Sequence, residues 1–149
     1  MANPAGRKIF MTLVMTVLLA GACDDEPDRI IPYVPVSFFV DLNIVNDLNV
    51  AGNSVYFAGP GYSGVLIYCA EPYQEYYAFD AACTYDFLSG CKVRSGVKDT
   101  NPGGPIGTCS CCGSQFLLMG GASPVKGPAT YSLQQYHVSV MNNTLRVYN

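Results

Sequence analysis

Cys109-Ser110-Cys111-Cys112-Gly113-Ser114-Gln115-Phe116, followed by Gly127-Pro128-Ala129, is the stretch on which the fold of this 149-residue chain turns. Three cysteines within four residues, closed by a glycine, are not core composition. A buried free cysteine packs as a small hydrophobe, whereas clustered cysteines on a Gly-rich loop point to metal or disulfide chemistry. An earlier stretch, Cys83-Thr84-Tyr85 with Cys91 beyond it, supplies a second cysteine loop. Each loop leaves a strand-like segment, so the two are expected to meet over one small site.

The segments around the loops read as strands. Residues 65–69 form an apolar run, Glu71-Pro72 turns the chain, and residues 76–79 run back to deliver Cys83. Residues 115–119 leave the second loop as a strand, and residues 123–128 read as a Pro/Gly loop. Residues 136–141 and 144–148 alternate on either side of Asn142-Asn143, a hairpin signal because asparagine tolerates positive φ. Upstream, Val36, Phe38, Val40, Leu42 and Ile44 alternate with Ser37, Asp41 and Asn43, as in a half-buried strand interrupted only by Phe39. Residues 46–53 are turn-like and residues 55–57 make a short strand. The Gly-rich segment 59–64 lacks the Lys-Ser/Thr ending of a phosphate cradle and reads as a turn. Residues 92–108, rich in Gly and Pro, read as a connection. No 3.6-residue period follows the N-terminal segment, so an all-β domain is expected over residues 34–149.

Composition bounds the function. Half the residues are apolar, 13% are charged and the net charge is −3, which excludes disorder and leaves no basic surface for nucleic acid. Seven cysteines suggest an oxidising compartment or a metal site. The N-terminus bears on the choice. Arg7 and Lys8 precede an apolar run over residues 9–20, then Gly21-Ala22 and Cys23, the order of a secretory signal. The run is short for a spanning helix, which needs about 20 residues. A cysteine after a small pair resembles a bacterial lipobox, although Ala20 stands where leucine is preferred and Leu19 lies one place earlier. The expected organisation is a lipoprotein signal peptide at 1–22 and an acidic linker at 23–33 anchored by lipid on Cys23. Asp24-Asp25-Glu26-Pro27-Asp28 suits a solvated tether, and also resembles the surface-export signal of Bacteroidetes lipoproteins. The expected location is the bacterial cell envelope. The chain would be lipid-anchored, preferentially to the outer membrane, and face the periplasm or the cell surface.

From about residue 65 to 147 the chain resembles a Rieske iron–sulfur domain. That family carries a Cys-x-His loop and a Cys-x-x-His-Gly-Ser loop, each giving one cysteine and one histidine to a 2Fe–2S cluster. Cys83-Thr84-Tyr85 and Cys109-Ser110-Cys111-Cys112-Gly113-Ser114 occupy those loops, and Phe116, Gly127-Pro128-Ala129, Leu133, Tyr136 and Val138 fit the tail. The resemblance implies a Rieske-like domain of small antiparallel sheets. It also implies a bridge between Cys91 and Cys111, which match a cysteine pair of the family's respiratory branch. Both histidine positions are replaced, by Tyr85 and Cys112, and the only histidine, His137, lies in a late strand. Two histidines on one iron hold Rieske potentials at about −150 to +300 mV, against about −400 mV for plant-type clusters. Any cluster here is therefore expected to be thiolate-ligated and of low potential. Phe116 stands where some relatives place a tyrosine that donates to a ligand sulfur.

Setting Cys23 aside leaves six of the seven cysteines. One reading has Cys83, Cys109 and Cys112 bind zinc or a 2Fe–2S cluster, with Tyr85 or Cys91 as fourth ligand, for electron transfer or as a structural staple. Another has them bridged in a cluster-free structural or interaction lipoprotein, Cys83 pairing with Cys109 or Cys112; six cysteines allow 15 pairings. A third, Cys109-x-x-Cys112 as a redox pair, lacks the helix that lowers a thiol pKa. Cys69 reads as a buried thiol or half of a bridge, and His137 as a solvent-facing strand residue. No Ser/His/Asp or Cys/His set is legible and no catalytic residue is expected; at most the chain is an electron-transfer module. The expected partners are the membrane, through Cys23, and a redox or envelope protein.

Overall fold

The apolar run at residues 65–69 shows no alternation because it is walled on both sides. The computed structural model describes residues 30–96 and 103–149; Cys23, the signal segment and the acidic tether lie outside the described residues. Strands follow in the order β1 (Ser37–Asp41), β2 (Ser54–Phe57), β3 (Val65–Glu71), β4 (Glu75–Asp80) and β5 (Val93–Ser95). They continue as β6 (Ile106–Cys109), β7 (Gln115–Leu117), β8 (Ser123–Lys126), β9 (Gln135–Met141) and β10 (Thr144–Tyr148). The one helical element among the described residues is a 3-10 turn at Asn46–Asn49, and no described helix is long and apolar enough to cross a membrane. The described chain is thus all-β, built of antiparallel sheets, as expected.

Six strands pair in the order β1-β10-β9-β4-β3-β2, and four in the order β5-β6-β7-β8. Successive side chains of a strand point to opposite faces. On β3, Val65, Ile67 and Cys69 enter one core with Val40, Leu145 and Val147, while Leu66 and Tyr68 enter a second with Phe79, Val93, Phe116 and Leu118. Both faces of β3 are therefore dry, which is why its sequence is continuously apolar. The second core lies between β3–β4 and the small sheet, and includes Cys83, Cys91 and Cys109.

The hairpin at Asn142-Asn143 is as expected: Asn142 has φ 54°, and Thr144 pairs with Met141. Three expectations are corrected. The first strand stops at Asp41, because its carboxylate accepts from the backbone N–H and the side-chain amide of Asn43, both at 2.8 Å, and turns the chain. Ile44 is consequently 77% exposed and not on the core face. Residues 92–108 are more than a connection: β5 and most of β6 lie within them, paired as Val93↔Cys109 and Ser95↔Gly107. Residues 123–128 hold β8, which pairs with β7 alone, an edge position that tolerates Pro124.

Candidate metal centre

The first cysteine loop leaves β4 at Asp80 and returns into β5. Asp80 is fully buried and accepts from the backbone N–H groups of Tyr62 (2.6 Å), Ser63 (3.2 Å) and Ala82 (2.8 Å) and from the Tyr136 hydroxyl (2.7 Å). Charge-assisted bonds of this kind are the stronger class. They fasten the Gly-rich turn and β9 to the residue before Cys83. Beyond it, Cys83 N–H donates to Cys91 O at 3.2 Å and Val93 N–H to Ala81 O at 2.7 Å, closing the loop at its base. Burial pushes the Tyr136 hydroxyl well above its ordinary range, and its bond to Asp80 and that carboxylate's charge push the same way.

The second loop joins β6 to β7. Cys109 N–H donates to Ser114 O at 2.8 Å and Gly113 N–H to Cys109 O at 3.1 Å, which makes a tight turn. Gly113 takes φ 71°, a conformation costly for a residue with a Cβ. Ser110 N–H donates to Lys92 O at 3.2 Å, so the two loops share backbone bonds. They also share a covalent one: Cys91 and Cys111 are disulfide-bonded, with their Cα atoms 5.8 Å apart. The bridge implied by the family resemblance is present.

Between the loops the sulfurs of Cys83, Cys109 and Cys112 all lie within 4.8 Å of one another, with Cys83 Sγ and Cys112 Sγ 3.5 Å apart. All three are free thiols; Cys83 and Cys109 are buried and Cys112 is half-buried. They open into a cavity of about 280 Å³ that Tyr85, Asp86 and Ser89 also line. Tyr85 is 58% exposed. The structure thus brings together three of the four expected ligands and sets Tyr85 beside the same cavity. Cys91, the alternative fourth ligand, is taken up in the disulfide. Cys69 is a free buried thiol in the other core, His137 is exposed on β9, and Phe116 is fully buried in the second core.

The electrostatics divide the three thiols. Burial, reinforced by hydrogen bonding to Cys109 and Cys112, pushes the Cys83 thiol up to about 12. Cys112 is also raised by burial, but the Ser114 hydroxyl and backbone, then Cys109 and Cys83, bring it down to about 7. Ser114 Oγ accepts from Cys112 Sγ at 3.1 Å and from the Ala129 N–H at 3.0 Å, so its own proton is free to turn to the sulfur once Cys112 ionises. That pairing requires Gly127: a Cβ there would fall 2.5 Å from Ser114 Cα. The segment between β8 and β9 is tied to the first cysteine loop by Thr84, whose hydroxyl donates to Tyr131 O at 2.7 Å. Sequence reasoning found Gly127-Pro128-Ala129 only as part of a family likeness and missed what Ser114 does. Asp80 leaves no pattern in sequence, since its partners are three backbone N–H groups and one hydroxyl.

Neither a protein-family model nor a curated protein matches this chain. Among solved structures, the cyanobacterial plasma membrane Rieske protein PetC3 from Synechocystis matches with TM-score 0.51 and 23% identity, over 77% of this chain and 98% of that one. The ferredoxin of carbazole 1,9a-dioxygenase from Nocardioides aromaticivorans matches with TM-score 0.48 and 15% identity, over 77% and 97%. A ferredoxin of Sphingomonas yanoikuyae matches with TM-score 0.46 and 16% identity, over 67% and 88%. The first of these likenesses supports a Rieske-like fold, and identities this low carry no chemistry with them.

Proposed function

We propose that this Rieske-like domain is a metal-binding module of the bacterial envelope, anchored by lipid on Cys23 and holding its metal through Cys83, Cys109 and Cys112. One observation carries the reading: three free thiols converge within 4.8 Å on two loops that a disulfide already locks together. Two thiolates on a tetrahedral zinc, at about 2.3 Å each, stand about 3.8 Å apart, close to the 3.5 Å between Cys83 and Cys112. The donor set therefore fits a single zinc ion, with Tyr85 or solvent completing the shell. A 2Fe–2S cluster, which would supply one-electron transfer at low potential, is the second reading, favoured by the fold's likeness to Rieske proteins. Ligation needs deprotonated sulfur, so loading a site that includes the raised Cys83 thiol releases protons and weakens as pH falls.

The test is anaerobic reconstitution of the chain from Asp24 onward with zinc and, separately, with iron and sulfide. The expected result is one metal site per chain, with Cys83, Cys109 and Cys112 protected from alkylation and Cys69 unaffected. Loading that persists in Cys83→Ser, Cys109→Ser and Cys112→Ser alike would place the metal elsewhere and end the reading. Anchoring is tested apart: Cys23→Ser should move the full chain from the membrane to the soluble fraction in a lipoprotein-processing bacterium. Unchanged membrane association of that variant would remove the lipid from the account.

A further inference from the structure

Cys83 and Cys112 are arranged for a chemistry that needs no metal. Their sulfurs are 3.5 Å apart, and a disulfide is about 2.05 Å, so bonding requires an approach of about 1.5 Å. The loops that carry them are already tied by Cys91–Cys111, and Cys112 is the residue after Cys111. A second bridge across the same gap would therefore join loops that are already fixed to one another. Both line the cavity, but access differs: Cys112 is half-buried, while Cys83 is 1% exposed. Cys112 Sγ donates to Ser114 Oγ at 3.1 Å. A more accessible sulfur with a shielded one in contact with it is the layout of a dithiol that exchanges with disulfides.

We propose that, in the metal-free protein, Cys112 and Cys83 form a reversible dithiol–disulfide couple acting on accessible disulfides. The Cys112 thiolate attacks one sulfur of a disulfide R–S–S–R. The R–S bond to the second sulfur is unaffected; the S–S bond breaks, one R–S⁻ leaves and takes a proton from solvent, and Cys112 is left in a mixed disulfide. Cys83, giving its proton to solvent, then attacks Cys112 Sγ and expels the second R–S⁻, which is protonated in turn. Two electrons pass from the two cysteines to the substrate, which leaves as two thiols, and the reverse sequence oxidises a dithiol. Cys109 lies within 4.8 Å of both sulfurs and stays a thiol. It shares the tight turn with Cys112, whereas Cys83 faces Cys112 from the other loop. The inference stands apart from the metal reading, and the two exclude each other at any instant because they use the same sulfurs.

The test equilibrates the metal-stripped chain from Asp24 onward with mixtures of oxidised and reduced glutathione, without air, and maps disulfides by peptide mass spectrometry without reduction. The expected product is a Cys83–Cys112 bridge that reverts with reduced glutathione, with Cys69 and Cys109 still alkylatable and Cys91–Cys111 intact. Cys83→Ser should accumulate a glutathione mixed disulfide on Cys112, and Cys112→Ser should form no new bridge. If Cys83→Ser fails to fold, the Cys112→Ser result and the wild-type map decide alone. A bridge from Cys112 to Cys109, first attack at Cys109 or Cys69, or no new disulfide would overturn the proposal. Zinc binding by the reduced chain is read on a parallel sample. Loss of zinc binding with the bridge intact removes the metal reading only, and the converse removes this one only.

Discussion

Replacing Asp80 with alanine takes away the acceptor of four hydrogen bonds at once, from Tyr62, Ser63 and Ala82 N–H and from the Tyr136 hydroxyl. The site is fully buried, so the stranded donors must find water or stay unpaired. A hydrogen bond to a charged group contributes about 1.5–3 kcal/mol, and losses within one network are not additive, so the four bonds together cost less than their sum. We expect Asp80→Ala to cost about 4 kcal/mol. Tyr136→Phe removes one of the four bonds and should cost about 2 kcal/mol. In the Asp80→Ala background the same tyrosine change should be nearly free, since its partner is gone. The assay is equilibrium denaturation of the oxidised chain from Asp24 onward, with Asp80→Ala, Tyr136→Phe and the double variant compared at equal slope. The consequence extends to the site, because the Ala82 N–H that Asp80 holds at 2.8 Å immediately precedes Cys83. Zinc affinity should therefore fall in Asp80→Ala even where the chain remains folded. A cost below about 1 kcal/mol, or additive losses in the double variant, would refute the view of Asp80 as the hub of the first loop.

Three further expectations follow from other parts of the site. Removing the Cys91–Cys111 bridge, which spans a sequence separation of 20, should cost about 3 kcal/mol by freeing the unfolded chain, read as a drop in the denaturation midpoint of Cys91→Ala/Cys111→Ala. An unchanged midpoint would mean that the loops are held by their backbone bonds alone. Gly127→Ala forces a Cβ to within 2.5 Å of Ser114 Cα at φ +94°, and should destabilise the chain by about 3 kcal/mol and weaken zinc binding; wild-type values for both would contradict the close approach. With Cys112 held down to about 7, its alkylation rate in the metal-free protein should climb with pH through about 7, and Ser114→Ala should move that midpoint upward. The folded value is below the unfolded one, so the stabilisation from this thiolate is present above about 9 and is lost as pH falls through about 7. An alkylation midpoint that Ser114→Ala leaves in place would show that the hydroxyl does not act on the sulfur.

The parts of the fold legible in sequence were those whose side chains must choose a face or a turn. β9 and β10 alternate, and Asn142 supplies the positive φ between them. β3 was legible as a strand by its apolar run, although only the structure shows that two cores share it. β5, β6 and β8 were not legible, since strands of three or four residues with Gly107 or Pro124 inside them carry no readable period. Ile44 was misplaced because alternation continued past Asp41, where a side-chain bond to Asn43 ends the strand. At the site, the cysteines announced themselves by type, but their pairing did not: Cys91 with Cys111 came from the family resemblance, and the spacing alone left it open. The sequence reading put Cys83, Cys109 and Cys112 at one site and left Cys83 to pair with either of the other two; that Cys112 approaches it to 3.5 Å, from a different loop, is shown only by the structure. Asp80 was invisible because its partners are backbone groups and one hydroxyl.

X-ray absorption at the metal edge of the chain, purified without air or chelator, tests the central claim most directly. The account predicts three sulfur neighbours at about 2.3 Å around a metal present at one site per chain, with at most one lighter atom beside them. A shell of oxygen or nitrogen alone, or no metal held by protein whose Cys83, Cys109 and Cys112 are reduced, would contradict it.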